Sequence, residues 1–167
     1  VLKRDYSNEF FFEKLEILRE LDIGASINNV IGFPLETREL IFDTINANKK
    51  LIQSNPKLEC NVFLFIPFKG CELYDVCIKN GLLNLDFINI SDFSQESVLD
   101  FSDDFHSDLK GLIRTFNLYV RLPEKYRKDI QIAEKCNTEG NKMLKKLSCL
   151  LKGTSVGITQ ETPAILR

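Results

Sequence analysis

The chain of 167 residues lacks most of the signatures that would settle a function at once. It has one histidine, His106, and one methionine, Met143. It holds no serine–histidine–aspartate set, no Walker loop and no GxGxxG stretch, the patterns of several large enzyme classes. No apolar run approaches the ~18–20 residues that cross a bilayer, and no signal-peptide pattern is visible. Charge of one sign is not in excess: 22 Lys and Arg face 24 Asp and Glu, for a net charge of −2. That excludes a general attraction to nucleic acid or to an anionic membrane. No internal repeat or low-complexity tract appears.

Five cysteines are present: Cys60, Cys71, Cys77, Cys136 and Cys149. Their number is odd and their spacing irregular, with no CxxC pair. A disulfide framework is not expected, and a reducing cytoplasm suits them better. Buried or incidental thiols are the expectation. What the chain does have is an ordinary globular composition, 44% hydrophobic and 28% charged, enough for one domain with a true core. It starts at Val1 and has its sole methionine at position 143, so a piece of a longer or processed protein is expected.

The pattern along the chain alternates between helix and strand. Ser7 is placed to cap a helix over 8–22, with Phe11, Leu15 and Leu18 as its stripe. Gly24 is expected to stop it. "ASINNVI", 25–31, reads as a strand. Thr37 is a second cap, for a helix to about Ser54 marked by Leu40, Ile41, Ile45, Leu51 and Ile52, with Pro56 beyond it. "CNVFLFI", 60–66, is nearly all apolar and reads as a strand covered on both faces. "CELYDVCIKN" is a short helix ended by Gly81. The two strands and the helix between them predict parallel pairing by a right-handed crossover. Residues 82–101 read as an irregular connection and 102–152 as a helical region. Pro123 and Gly140 are expected to divide its helices, and 153–167 to form a loose tail. Phe105, Leu109, Leu112, Ile113, Phe116 and Val120 are its strongest stripe. His106 is expected to be a solvated surface histidine, and Glu36–Thr37 to cap and neutralise the start of the second helix.

The stretch "VLKRDYSNEFFFEKLEILRELDIGASINNVIGFPLETRELIFDTI" resembles the second half of a radical S-adenosylmethionine (SAM) domain. In that family a fifth strand ends in an "iGlPgET" type of sequence, and here "VIGFPLET" stands there. "IPFKGCELYD" stands where the sixth strand often ends. The resemblance covers about 1–81. "FNLYVRLPEKYRKDIQIAE" resembles C-terminal extensions of some members, including cobalamin-binding ones. The resemblance implies an α/β fold, the C-terminal portion of a (β/α)6 partial barrel followed by a helical extension. It implies SAM and a [4Fe–4S] cluster in the full-length protein, with cobalamin as a further cofactor in the subgroup. The chain contains no CxxxCxxC, so the cluster ligands are not expected here and the fragment alone is expected to be inactive.

The residues that the resemblance assigns to the cofactor are Arg4, Asn28, Val30, Ile31, Gly32, Phe33, Pro34 and Pro67. Arg4 matches an arginine that reaches the SAM carboxylate, and its guanidinium fork suits that task. Asn28 falls near the position of the SAM ribose. Because strand side chains alternate, one of Asn28 and Asn29 should face the barrel interior. Val30, Ile31 and Phe33 could flank an adenine, Gly32 lets backbone come close because it has no Cβ, and Pro34 fixes the strand exit. Pro67 opens the loop after the sixth strand. The competing expectation is a non-catalytic α/β-plus-helical interaction module. In either case the missing N-terminal half of the barrel leaves the 25–31 strand with an open edge. The expected covers are a second copy in a homodimer, another polypeptide, or 82–101 folding back.

Overall fold

The structure is a computed structural model and describes Asp5, residues 7–83 and residues 96–156. Arg4 and most of the 82–101 connection lie outside the described residues, as does the tail from 157 onward. The elements are α1 (Asn8–Glu20), β1 (Ser26–Ile31), α2 (Arg38–Ser54), β2 (Glu59–Leu64), α3 (Glu72–Lys79), α4 (Asp103–Arg121), a 3₁₀ turn (Glu124–Tyr126), α5 (Arg127–Glu134) and α6 (Thr138–Val156). Among the described residues the fold is α/β and mostly helical, with six α-helices and a two-stranded parallel sheet.

The caps follow the local chemistry. Ser7 accepts a hydrogen bond from the Phe10 N–H at 3.2 Å and starts α1. Thr37 accepts from Leu40 N–H and starts α2, and Ser102 does the same for α4 from Phe105 N–H. The end of α1 departs from expectation. Asp22, not Gly24, takes the left-handed conformation, with φ +59°. The Ile23 N–H then reaches back to the Leu18 carbonyl at 2.8 Å. Aspartate tolerates this conformation better than most residues. Gly140 also departs: it lies inside the first turn of α6, not between helices, and Asn137 starts the turn by accepting from its N–H at 2.8 Å. A Cβ at Gly140 would sit 1.8 Å from the Lys135 carbonyl oxygen. Only glycine permits that approach, so the residue reads as a breaker in sequence and acts as a contact.

β1 and β2 pair in parallel, in register from Ser26 with Glu59 to Ile31 with Leu64. α2 is the crossover between them. Both strands alternate. Ile27, Asn29 and Ile31 of β1, with Cys60, Val62 and Leu64 of β2, turn toward the helices. Asn28, Val30, Asn61 and Phe63 turn the other way and are exposed. The expectation that 60–66 is covered on both faces is not met among the described residues, where Phe63 is 53% exposed. An apolar run hides a period of two because it does not show which side a neighbour fills.

α4 closes the covered face. It packs on α2 and β2 and also against α5 and α6. Ile31, Ile41, Ile45, Leu112 and Phe116 are the centre of the core, each at most 2% exposed. Burying such side chains contributes about 1.5–3 kcal/mol each. A smaller cluster joins Phe65, Cys77 and Leu99. The described ends of the 82–101 connection meet there. Asp100 N–H donates to the Leu82 carbonyl at 2.8 Å, and Leu99 is buried. These ends lie by α3 and not along β1. Among the described residues no helix is long and apolar enough to cross a membrane.

Candidate functional site

The stretch after β1 makes a tight exit from the strand. Gly32 has φ +82° and Leu35 φ +67°. A leucine in that region costs about 1–2 kcal/mol, and it is 71% exposed. Glu36 holds the turn: its carboxylate accepts from the Gly32 N–H and from the Phe33 N–H at 3.2 Å. Burial pushes the Glu36 carboxyl above the usual carboxylate range, while these two N–H groups pull against it. Thr37 alone caps α2, so Glu36 faces back to the strand end instead of serving the helix.

The assigned residues divide into two groups. Ile31, Gly32, Pro34 and Pro67 are buried. Gly32 lies against Leu109 of α4 and Leu64 of β2, with a Cβ there 3.5–3.7 Å from their side chains. Phe33 stacks on Phe65, ring centroids 4.8 Å apart. Asn28 and Val30 stand on the uncovered side, together with Asn61 and Phe63 of β2. The Asn61 amide donates to Asn28 Oδ1 at 3.1 Å and to Ser26 Oγ at 2.8 Å. Arg4 lies outside the described residues.

Of the two asparagines in β1, Asn29 is the one that points at the helices. It exchanges hydrogen bonds with Asn48 of α2: Asn48 Nδ2 to Asn29 Oδ1 is 2.7 Å and the return bond is 3.2 Å. Asn48 also donates to the Thr44 carbonyl and accepts from the Cys60 thiol. A buried amide pair with its partners in place is stable; an amide there without them would cost about 1–3 kcal/mol. Asn48 is missed by the stripe of α2. Its one sequence signal is a polar residue at helical spacing between Ile45 and Ile52, on the apolar face.

A groove of 420 Å³ runs along the free edge of β1, between α1 and α2. Phe11 and Phe12 of α1, Ile27 to Val30 along β1, and Ala47 and Leu51 of α2 line it. Two carboxylates, Glu36 and Asp43, also line it. Among the described lining residues there is no Lys or Arg.

A second constellation fastens the helical region to the sheet layer. Arg38 at the start of α2 donates to Asp108 of α4 at 2.8 Å and to Glu134 of α5 at 2.6 Å. Tyr119 donates its hydroxyl to the other Glu134 oxygen. The Phe42 ring lies 5.1 Å from the Tyr119 ring and 5.2 Å from each of the Arg38 and Arg127 guanidinium groups. Burial first, and then the Glu134 carboxylate, push the Tyr119 phenol well above its ordinary value. His106 is not the solvated residue expected. It is half-buried, and its Nε2 accepts from the Phe101 N–H at 3.3 Å.

All five cysteines are free, and Cys60 and Cys77 are buried. Burial pushes both of those thiols up, away from the thiolate that a metal needs. Among the described residues no three His, Cys, Asp or Glu side chains gather as a metal-holding group. The cysteines of this chain therefore do not fit an iron–sulfur ligand set. Compared with protein-family models, with curated proteins and with solved structures, the chain matches none.

Proposed function

We propose that this chain is the C-terminal half of a radical SAM barrel, lining part of the SAM and substrate site of a longer enzyme. The observation that carries the reading is the one-sided cover of the parallel β1–β2 pair. Helices fill one face, while Asn28, Val30, Asn61 and Phe63 stand on the other, exposed. Parallel sheets are stable with both faces covered, and the inner wall of a barrel has this polarity, helices outside and side chains inward. The missing N-terminal half would cover the bare side. SAM, when bound to a reduced cluster, supplies a carbon radical that abstracts hydrogen from substrate. The cluster ligands would come from the N-terminal half, because the cysteines here do not fit.

Within this reading the chain positions and shields the cofactor. Asn28 offers an amide on the inner face, and Val30 and Phe33 present apolar surface to a flat base. Gly32 and Phe33 N–H groups are held by Glu36, so side chains and carbonyls are the groups left for the ligand. Arg4 would meet the SAM carboxylate. The five free thiols suit a reducing cytoplasm. Cobalamin would belong to a domain upstream. The test is the full-length gene product: a CxxxCxxC upstream of Val1, iron in anaerobically purified protein, and 5′-deoxyadenosine formed from SAM. If the longer protein lacks the cysteine triad, the reading fails.

A second reading, a non-catalytic interaction module, is favoured by the same bare face, where Val30 is 38% and Phe63 53% exposed. It predicts binding without SAM turnover.

A further inference from the structure

We infer that residues 96–101 form an acid-opened strap over the apolar cluster at the ends of the two strands, with His106 as its latch. Leu99 is 1% exposed and packs with Phe65 and Cys77, and Phe33 joins the same cluster. Phe33 and Phe65 lie just past the ends of β1 and β2, so the strap covers the place where both strands finish. Its backbone is held at two points. Asp100 N–H donates to the Leu82 carbonyl at 2.8 Å. Phe101 N–H is shared between the Leu99 carbonyl at 3.0 Å and Nε2 of His106 at 3.3 Å. The Phe101 ring meets the His106 ring edge-on at 5.9 Å and the Phe105 ring at 4.9 Å. A cavity of about 290 Å³, lined by Glu96, Ser97, His106, Ser107 and Lys110, leaves room for water beside the imidazole.

The latch works only with a neutral histidine. An Nε2 that accepts a hydrogen bond carries no proton, so the imidazole proton sits on Nδ1. A proton added at Nε2 takes up the lone pair and sets donor against donor. The Phe101 N–H then keeps the Leu99 carbonyl alone, and the strap loses its hydrogen bond to α4 at that end. Charged groups on both elements bear on this step: Glu96 and Asp100 of the strap, Asp103 and Lys110 of α4. The three carboxylates favour the cation, but Glu96 is already held by Lys110. Lys110 and the positive N-terminal end of α4 oppose it. With these fields set against one another, the direct contact at 3.3 Å decides. The strap is closed at neutral and alkaline pH and released as pH falls through the ordinary histidine range. The device stands whether or not the chain belongs to a barrel.

Thiol labelling reads the strap directly, because Leu99 packs on Cys77. The 167-residue chain is treated with an aromatic disulfide reagent, at about pH 7.5 and about pH 5.5, within the range where histidine ordinarily titrates. The labelled cysteines are then read by peptide mass spectrometry. Cys60, buried in the main core, is the internal control. Burial raises both thiols, so their ratio removes most of the pH dependence of the reagent. The ratio of Cys77 to Cys60 labelling should rise about tenfold in acid, the effect of one lost hydrogen bond. It should stay flat in His106→Gln, whose side-chain oxygen accepts the same N–H without titrating. No rise in the parent, or an equal rise in His106→Gln, would overturn the latch. Cys60 rising in step with Cys77 would mean global unfolding in acid and would overturn it too. Nuclear magnetic resonance gives a second reading that needs no variant. His106 is the only histidine, so its imidazole and the Phe101 amide should titrate with one midpoint, and separate midpoints would overturn the assignment.

Discussion

α4 and α1 are both amphipathic helices with a clear apolar stripe, yet they meet different fates. α4 buries eight residues, among them Leu109, Leu112 and Phe116. α1 buries one, Leu15, while Phe10, Phe12 and Ile17 are exposed. α4 is enclosed by β2, α2, α5 and α6. α1 lies beside the free edge of β1, where the described residues supply no second layer. A stripe shows which face of a helix seeks cover; whether cover exists depends on the rest of the fold. The half-barrel proposal places that missing cover in another part of the polypeptide.

The largest effect should fall on α4. Phe116 is fully buried, so Phe116→Ala should lower stability by about 4 kcal/mol, read from urea denaturation. A loss below about 1.5 kcal/mol, the range of volume-conserving swaps, would mean α4 is not the centre of the core. Next is Gly140→Ala, which sets a Cβ 1.8 Å from the Lys135 carbonyl oxygen. The helix start must shift, at about 2–3 kcal/mol, the range of overpacked sites, with a lower melting temperature as the readout. On the other helix, Leu15→Ala should cost about 2 kcal/mol, the low end for a buried leucine, since the site lies at the rim. A loss matching that of Phe116→Ala would erase the contrast between the helices.

The fastening of α4 to α5 can be separated by pH. Tyr119→Phe removes the hydrogen bond to Glu134, worth about 1.5 kcal/mol for a bond to a charged group. Burial and Glu134 raise the Tyr119 phenol in the folded state. Its contribution is therefore complete below the ordinary phenol value near ~10 and is lost as pH rises above it. The stability gap between the parent and the variant should narrow in alkaline solution, by chemical denaturation at stepped pH. A gap that widens there would reverse the assignment. The smallest effect belongs to the exposed face of α1: Phe12→Ser should change stability by less than about 0.5 kcal/mol in the same denaturation. A large loss would show that the chain already covers this face.

The sequence by itself determined the local elements. Ser7, Thr37 and Ser102 cap their helices because a side-chain oxygen can satisfy an N–H within one turn, whatever the rest of the chain does. The stripes of α2 and α4, and parallel pairing through a crossover helix, also follow from short-range periodicity and chain handedness. What only the tertiary structure decided depends on partners distant in sequence. Asn29 rather than Asn28 faces the helices because Asn48, on another element, completes its hydrogen bonds. Glu36 turns to the strand end because Gly32 leaves with a left-handed backbone and offers its N–H there. His106 is half-buried because Phe101 folds back over it. Gly140 is a contact because α5 ends directly against it. The candidate site was legible as a strand exit with Gly and Pro. Its uncovered face and free edge were not, because an apolar run in one dimension carries no record of which side another element fills.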